Sequence, residues 1–398
     1  MSNTLLTISQ ITRKAAMILH QKANFIGNMN RGYDESYAKT GAKIGDTLRV
    51  RMPNQYAVRT GMTMSAQNTV EEKVDLVVNN VKGVDLNFTS EEMTLSLDDF
   101  SDRIIEPAMS VLAANIESDV YQNLYKKVYN LVDGDTVAFA FTHTSSAREI
   151  LTNNLAPLDK RSAILTPAHT TKFLVDTKGL FQDDGAISEQ YREGKLGKIQ
   201  GATFYENTIF ANHTTGTAAK GDTLYDVSGA NQSGSTLTVT TGTTTFLVGD
   251  VITIAGCNSV HPETKVSTGV AKQFVITANS GASATTLSIS PAIVLSGPRQ
   301  NVSAAPTDTG AITKVGAGNG ELLNGSLMFY RDAFTFATAD LPLPDGTDKA
   351  YRAVVDNISV SVVRDFTISD RQFPCRLDVL YGYAALRPQL AVRIHADG

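Results

Sequence analysis

The amino-acid sequence predicts an α+β chain interrupted by an inserted all-β domain. Three observations predict it. Apolar residues alternate with period two in two runs near the N-terminus, Thr47–Pro53 and Lys73–Thr89. A single long run with helical spacing follows, from Ile105 to Val128. From about Thr214 to about Gly318 the composition turns to Thr, Ser, Gly and Ala, and short strand patterns separated by turn residues take over.

The bulk properties bound the function. At 398 residues the chain is long enough for two or three domains. Its hydrophobic fraction of 42% is ordinary for a globular protein, but charged residues make up only 19% and Trp is absent. A surface this poor in charge suits a protein that buries much of itself against other copies. The net charge of −5 argues against tight nucleic-acid binding, which needs clustered Lys and Arg. No basic start and apolar run marks a signal peptide, and no segment reaches the roughly 20 apolar residues of a membrane span. Cytoplasmic folding is expected, with Cys257 and Cys375 as free thiols.

The first segment, 1–43, reads as an arm. Ile8, Ile11, Ala15, Ile18 and Leu19 share one face of a helix over Thr7–Phe25, and the polar stretch Asn28–Gly41 tethers it without a core of its own. Residues 44–82 form an extended hairpin. Leu48, Val50 and Met52 face one way and Arg49 and Arg51 the other, with Arg59 near a polar tip. The segment 83–135 holds the long helix, with Pro107 at its start and Gly134 as its stop. In 136–213, a helix over Ser145–Asn154 is capped by Thr144, Arg161–Leu165 is a strand, and Thr166-Pro167 opens a second helix. The insertion, 214–318, has strand patterns at Ser235–Thr240, Val251–Ala255, Gln273–Ala278 and Thr286–Ser290, spacing that favours a small barrel or sandwich. The return, 319–398, adds strands at Ile358–Val362, Arg376–Leu380 and Leu390–Ile394.

Enzymatic chemistry has no footing. His20, His143, His169, His213, His261 and His395 form no HxH or HExxH pair, and the two cysteines no CxxC, so neither a catalytic centre nor a metal site is expected, and no cofactor. Gly316–Gly320 lacks the Lys-Ser or Lys-Thr of a phosphate loop and reads as a flexible linker closing the insertion. Asp98-Asp99 and Asp183-Asp184 read as exposed turns and helix starts in preference to cation ligands. With Phe246, Phe274 and Tyr225 as its main aromatic residues, the insertion reads as a structural brace in preference to a carbohydrate platform.

The order of arm, long hairpin, spine helix, mixed α/β region and closing strands resembles the Hong Kong 97-type phage capsid fold. The stretches Gly249–Gly256, Gln273–Ser290, Tyr330–Phe334 running to Pro344, and Leu380–Tyr383 running to Arg387-Pro388 resemble coat proteins of short-tailed Salmonella and Shigella phages. The likeness covers most of the chain as scattered short blocks. It implies an N-terminal arm, an extended loop, a peripheral domain with the spine helix and an axial domain, with an inserted barrel-like domain. It also implies a major capsid protein that forms hexamers and pentamers of itself. Scaffolding protein, a portal protein at one vertex and non-specifically packaged double-stranded DNA are the implied partners, and the virion the implied location. An encapsulin-like nanocompartment shell and a phage tail or receptor-binding protein are the alternatives.

In this fold family the extended loop overlies an adjacent subunit's peripheral domain. The expected contact sets Arg49, Arg51 and Arg59 against the acidic run Glu91, Glu92, Asp98, Asp99 and Asp102 of a neighbour. Two departures from the family stand out. Its acidic inter-capsomer loop has Asp226–Gly234 as counterpart, where Asp226 is the single acid, and the arm is basic through Arg13, Lys14 and Lys22.

Overall fold

The computed structural model describes residues 13, 15, 24–32, 47–59, 61–64, 66–68, 71–89, 106–177, 197–209, 211–221, 223–341, 349–355, 358–368 and 372–397. They divide into two compact units. The first comprises Met1–Arg51, Lys73–Val120 and Phe334–Leu386, and the second Met52–Glu72, Tyr121–Ala333 and Arg387–Gly398.

The first unit is built on a six-stranded antiparallel sheet. Strand β1 (Thr47–Arg51) pairs with the start of β2 (Lys73–Thr89), and β2 pairs from Val78 to Thr89 with β17 (Gln372–Ala385). Beyond β17 lie β16 (Ile358–Arg364) and β15 (Lys349–Val355), while β14 (Phe334–Ala339) pairs with the far end of β17. The period-two pattern of β2 behaves as its sequence requires. Leu76 and Val78 are buried, and Val84 and Leu86 alternate with exposed neighbours. Helix α1 (Glu106–Tyr125) buries Met109, Leu112, Ala113, Ile116 and Val120 on one stripe. Lys82 Nζ donates to Asn115 O at 2.8 Å and Tyr381 Oη to Asp119 Oδ2 at 2.7 Å, fixing the helix to this sheet.

The arm departs from expectation where it is described. Asn24–Gly27 is a helical turn whose Phe25 and Ile26 are buried, as is Met29. The Phe25 N–H donates to Glu117 Oε1 at 2.5 Å, and its ring meets Phe334 edge-on at 5.9 Å. Asn30 continues by bridging to Thr335. The end of the arm is therefore core of this unit and not a tethered appendage, because Phe25, Ile26 and Met29 carry more apolar surface than a solvated arm can leave in water. Most of the predicted helix Thr7–Phe25 and the tether lie outside the described residues; Arg13 and Ala15 are helical.

The second unit contains two sheets. A seven-stranded mixed sheet runs β3 (Leu131–Ala138), β18 (Ala391–Asp397), β13 (Leu322–Tyr330), β4 (Arg161–Leu165), β6 (Ala202–Glu206) and β5 (Lys198–Ile199), with β7 (Ala211–Thr214) also on β13. Helices α2 (Phe141–Asn153) and α3 (Pro167–Thr177) belong to it. Thr166 caps α3 as predicted, its Oγ1 accepting the His169 N–H at 3.2 Å. Thr144 does not cap α2: the helix starts at Phe141, and the Thr144 hydroxyl donates to Phe141 O inside it.

The spine helix is shorter than its apolar spacing suggests. It stops at Tyr125, and Gly134 lies within β3, whose parallel pairing to β18 competes successfully for residues from Leu131 onward. Gly134 is needed there for a different reason: a Cβ would come within 2.8 Å of both the His143 ring and His395 O.

The second sheet is antiparallel, ordered β12 (Ile312–Val315), β9 (Val251–Val260), β10 (Ser267–Ile276), β11 (Thr286–Ile293) and β8 (Gly234–Thr238). It has its own apolar core, including Val227, Leu237, Ile252, Ile254, Cys257, Ile276 and Leu287. Tyr225, Phe246 and Phe274 are buried in that core, so they brace it and offer no exposed aromatic platform. Gly316–Gly320 is pinned, not loose. The Asn319 and Gly320 N–H groups donate to Ala218 O and Gly216 O, tying the segment that leaves the insertion to the segment that enters it.

Candidate assembly interface

The hairpin presents the predicted basic face, though in part paired internally. Arg49 stands opposite Asp75 in the β1–β2 register, with Nε 4.0 Å from Oδ1. Arg51 stands opposite Lys73, two like charges on one exposed edge. Arg59 turns inward on the tip and donates to Gly61 O and, at 3.1 Å, to Thr63 O. The Gln67 amide pairs with both backbone groups of Ala57. The tip is thus locally ordered by side-chain to backbone bonds.

The tip is also less polar than the sequence suggested. Val58 and Met62 are 95% and 98% exposed, with Tyr56 and Met64 also open to solvent. Four large apolar side chains thus stand exposed on one excursion. Composition hid them, because they are spread among Asn, Gln, Thr and Gly. At the base of the excursion the Met52 N–H donates to Glu72 O, and Arg299 of the insertion pairs with Glu72.

The acidic run expected to meet the hairpin, Glu91, Glu92, Asp98, Asp99 and Asp102, lies outside the described residues. Asp226 is exposed and bridges to Ala311. Asp308, likewise exposed, accepts the Gly229 N–H at 2.7 Å, so two acids share this end of the insertion. Asp308 escaped the sequence reading because it is 82 residues from Asp226 along the chain (308 − 226).

A second constellation joins the inserted sheet to the seven-stranded one, and its spacing gave no signal. Gln273 on β10 exchanges two hydrogen bonds with the Leu131 backbone, Lys272 Nζ lies 4.7 Å from the Tyr129 ring centre, and Lys220 pairs with Asp133 at 3.0 Å. Deeper, His213 of β7 donates Nε2–H to Asp250 Oδ1 at 2.9 Å. Asp250 Oδ2 accepts the N–H groups of Gly216 and Leu247, with Lys314 Nζ 3.8 Å away. Arg393 of β18 donates to Gly249 O at 2.8 Å. Gly249 has φ +104°, and a Cβ there would crowd Lys126 and His213. Burial works against the ionised Asp250, yet the His213 bond, Lys314 and the Leu247 N–H together hold its carboxyl below the usual range. Burial pulls His213 below the ordinary histidine value, against the raising effect of Asp250.

The remaining candidate groups are structural. His169 stacks on Phe139 at 4.5 Å and bonds to Ser326 and Ala396 O. Burial pushes the thiols of Cys257 and Cys375 up to about 11 and about 12, which keeps them protonated and unreactive. Among the described residues no group of three or more His, Cys, Asp or Glu could hold a metal ion, and no helix is long and apolar enough to cross a membrane.

The sequence model of a family described as P22 coat protein, gene protein 5, matches residues 29–394. The chain belongs to the P22 coat protein family. It is a phage major capsid protein, a structural and non-enzymatic component of the virion shell. Among the described residues its architecture is mixed α+β, rich in strands and with few helices, the fold class that the sequence predicted. Among solved structures, one from Mycobacterium phage Che8 aligns over 94% of this coat protein and 90% of its own chain, at 12% identity and TM-score 0.48. The capsid of Ralstonia phage GP4 aligns over 93% and 88%, at 7% identity and TM-score 0.47. The CUS-3 coat protein I-domain aligns over 23% of this chain and 94% of its own, at 34% identity and TM-score 0.19. No curated protein matches.

Proposed function

We propose that this coat protein assembles into hexamers and pentamers that close an icosahedral shell around double-stranded phage DNA. The observation that carries the reading is the hairpin β1–β2. It ends in an excursion whose Tyr56, Val58, Met62 and Met64 stand in solvent in the single chain. Such side chains gain about 1.5–3 kcal/mol each when fully buried, so a neighbouring copy is their natural cover. The tip supplies apolar burial, and Arg49 and Arg51 supply register against Glu91, Glu92, Asp98 and Asp99 of the neighbour. Single exposed ion pairs contribute only about 0–1 kcal/mol, so the charges select the docking geometry more than they drive it.

In this reading 1–43 is the arm, 44–82 the extended loop, 83–135 the peripheral domain, 136–213 and 319–398 the axial and returning strands, and 214–318 the inserted domain. Asp226 and Asp308 sit at one end of that domain, where they can meet a basic surface of a neighbouring capsomer. Scaffolding protein, a portal protein at one vertex and packaged DNA are the further partners, and assembly takes place in the host cytoplasm. Electron microscopy of the purified protein, alone and with its scaffolding protein, tests the reading. Closed shells of hexamers and pentamers are expected. Tubes or free trimers overturn the shell, and shells filled with an enzyme instead of DNA in infected cells overturn its cargo.

A further inference from the structure

The Gly249–Asp250 turn is held where the inserted sheet meets the seven-stranded sheet, by side chains that are almost wholly buried: His213 2%, Asp250 2%, Lys314 1% and Arg393 1% exposed. We propose that this cluster is an acid-opened latch between the two sheets, with His213 as its sensing group.

With His213 neutral, the cluster holds one carboxylate and two cations, Lys314 and Arg393. The other charged groups that act on it are Lys126, after helix α1, which bears on His213, and Glu321, before β13, which bears on Lys314. The Tyr125 ring lies 5.0 Å from the Arg393 guanidinium. Asp250 is already engaged at both oxygens, by His213 on one and by two backbone N–H groups on the other. Protonating His213 adds a third buried cation around one carboxylate that has little left to offer it. A buried charge without new compensation is costly, and the available relief is to open the turn to water. The sign follows from linkage. The enclosed His213 holds its proton less readily than a solvated histidine, whose ordinary value is about 6.5. The closed junction is therefore fully stable above that value and loses stability as pH falls below it. Lys314 ties its own strand to Gly216 O and Ala218 O; burial weakens its amine's hold on the proton, and Asp250 and Glu321 act the other way.

Hydrogen exchange on the full-length subunit at pH 7.5 and pH 5.0, corrected for intrinsic rates, tests the latch. The reporters are the amides of Gly216 and Leu247, bound to the Asp250 side chain, and of Ile276, bound to Asp250 O. Their protection should fall between pH 7.5 and pH 5.0, by at most about tenfold per pH unit below 6.5 for one proton, while β2 and β17 stay protected. The variant His213→Gln keeps a donor toward Asp250 and cannot titrate, so its junction should be equally protected at both pH values. Equal protection in the native protein, or an unchanged acid response in His213→Gln, overturns the proposal. Should the variant fail to fold, the His213 ring is titrated by NMR in the native chain. Protonation below 6.5 coincident with loss of junction protection supports the latch, and protonation at or above 6.5 overturns it.

Discussion

Gln273 and Leu131 are 142 residues apart in sequence and exchange two hydrogen bonds. The Leu131 N–H donates to Gln273 Oε1 at 2.7 Å, and Gln273 Nε2 donates to Leu131 O at 2.9 Å. A side-chain amide thereby completes a strand-like pairing between the inserted domain and the first strand of the seven-stranded sheet. Gln273→Ala removes both partners from a buried backbone site and should cost about 1–3 kcal/mol in urea unfolding. A variant with the parental midpoint would mean that the contact contributes nothing.

Phe25 anchors the end of the arm through Glu117 and Phe334. Phe25→Ala should destabilise the isolated subunit by about 3–5 kcal/mol, a core-sized loss. An arm acting only in assembly would instead leave the thermal midpoint of the monomer unchanged and impair shell formation alone.

Lys272 has its amine pulled down to about 8 by burial, where it lies against the Tyr129 ring. Between pH 8 and the usual lysine value of about 10.4 the unfolded chain binds more protons than the folded one, so this group makes the protein more stable as pH rises through that window. Lys272→Met should raise the melting temperature at pH 7, and its advantage should shrink by pH 10. A stability difference constant across that range would contradict this.

The excursion beyond β1 and β2 makes a prediction about assembly alone. Met62→Ser with Met64→Ser touches exposed side chains and should leave monomer stability within about 0.5 kcal/mol. Shell formation, followed by light scattering, should be lost or greatly slowed. Arg49→Glu with Arg51→Glu should also block assembly, and Glu91→Lys with Glu92→Lys should partly restore it. Normal assembly of the first charge-reversed variant at low and high salt would remove the charges from the interface.

The inserted sheet carries its own core, from Ala218 to Ile312. Residues 214–318 produced alone should give a β-rich circular dichroism spectrum and a cooperative melt. Asp250 and Lys314 lose the cover of His213 and Arg393 in that fragment, so its melt should lie below that of the full chain. A disordered spectrum would show that the sheet depends on the rest of the chain.

Much of this coat protein was determined by sequence alone, where the signal is periodic and local. Alternation over Lys73–Thr89 and the run Arg161–Leu165 each marked a strand with the observed ends, and Thr166-Pro167 marked a helix start through cap chemistry within four residues. The composition shift after Thr214 marked a stretch that does build a separate sheet. Only tertiary structure decided which of two adequate local patterns prevails. Leu124 and Val128 fit a helix equally well, but pairing with β18 claims the chain from Leu131 and ends α1 at Tyr125. The same holds for the sites. That Arg49 and Arg51 share one exposed face was legible because they alternate on one strand, while their place in an interface belongs to the proposal. His213, Asp250, Lys314 and Arg393 come from four separate elements, and the attraction between them exists only once folding excludes water and brings them within a few ångströms.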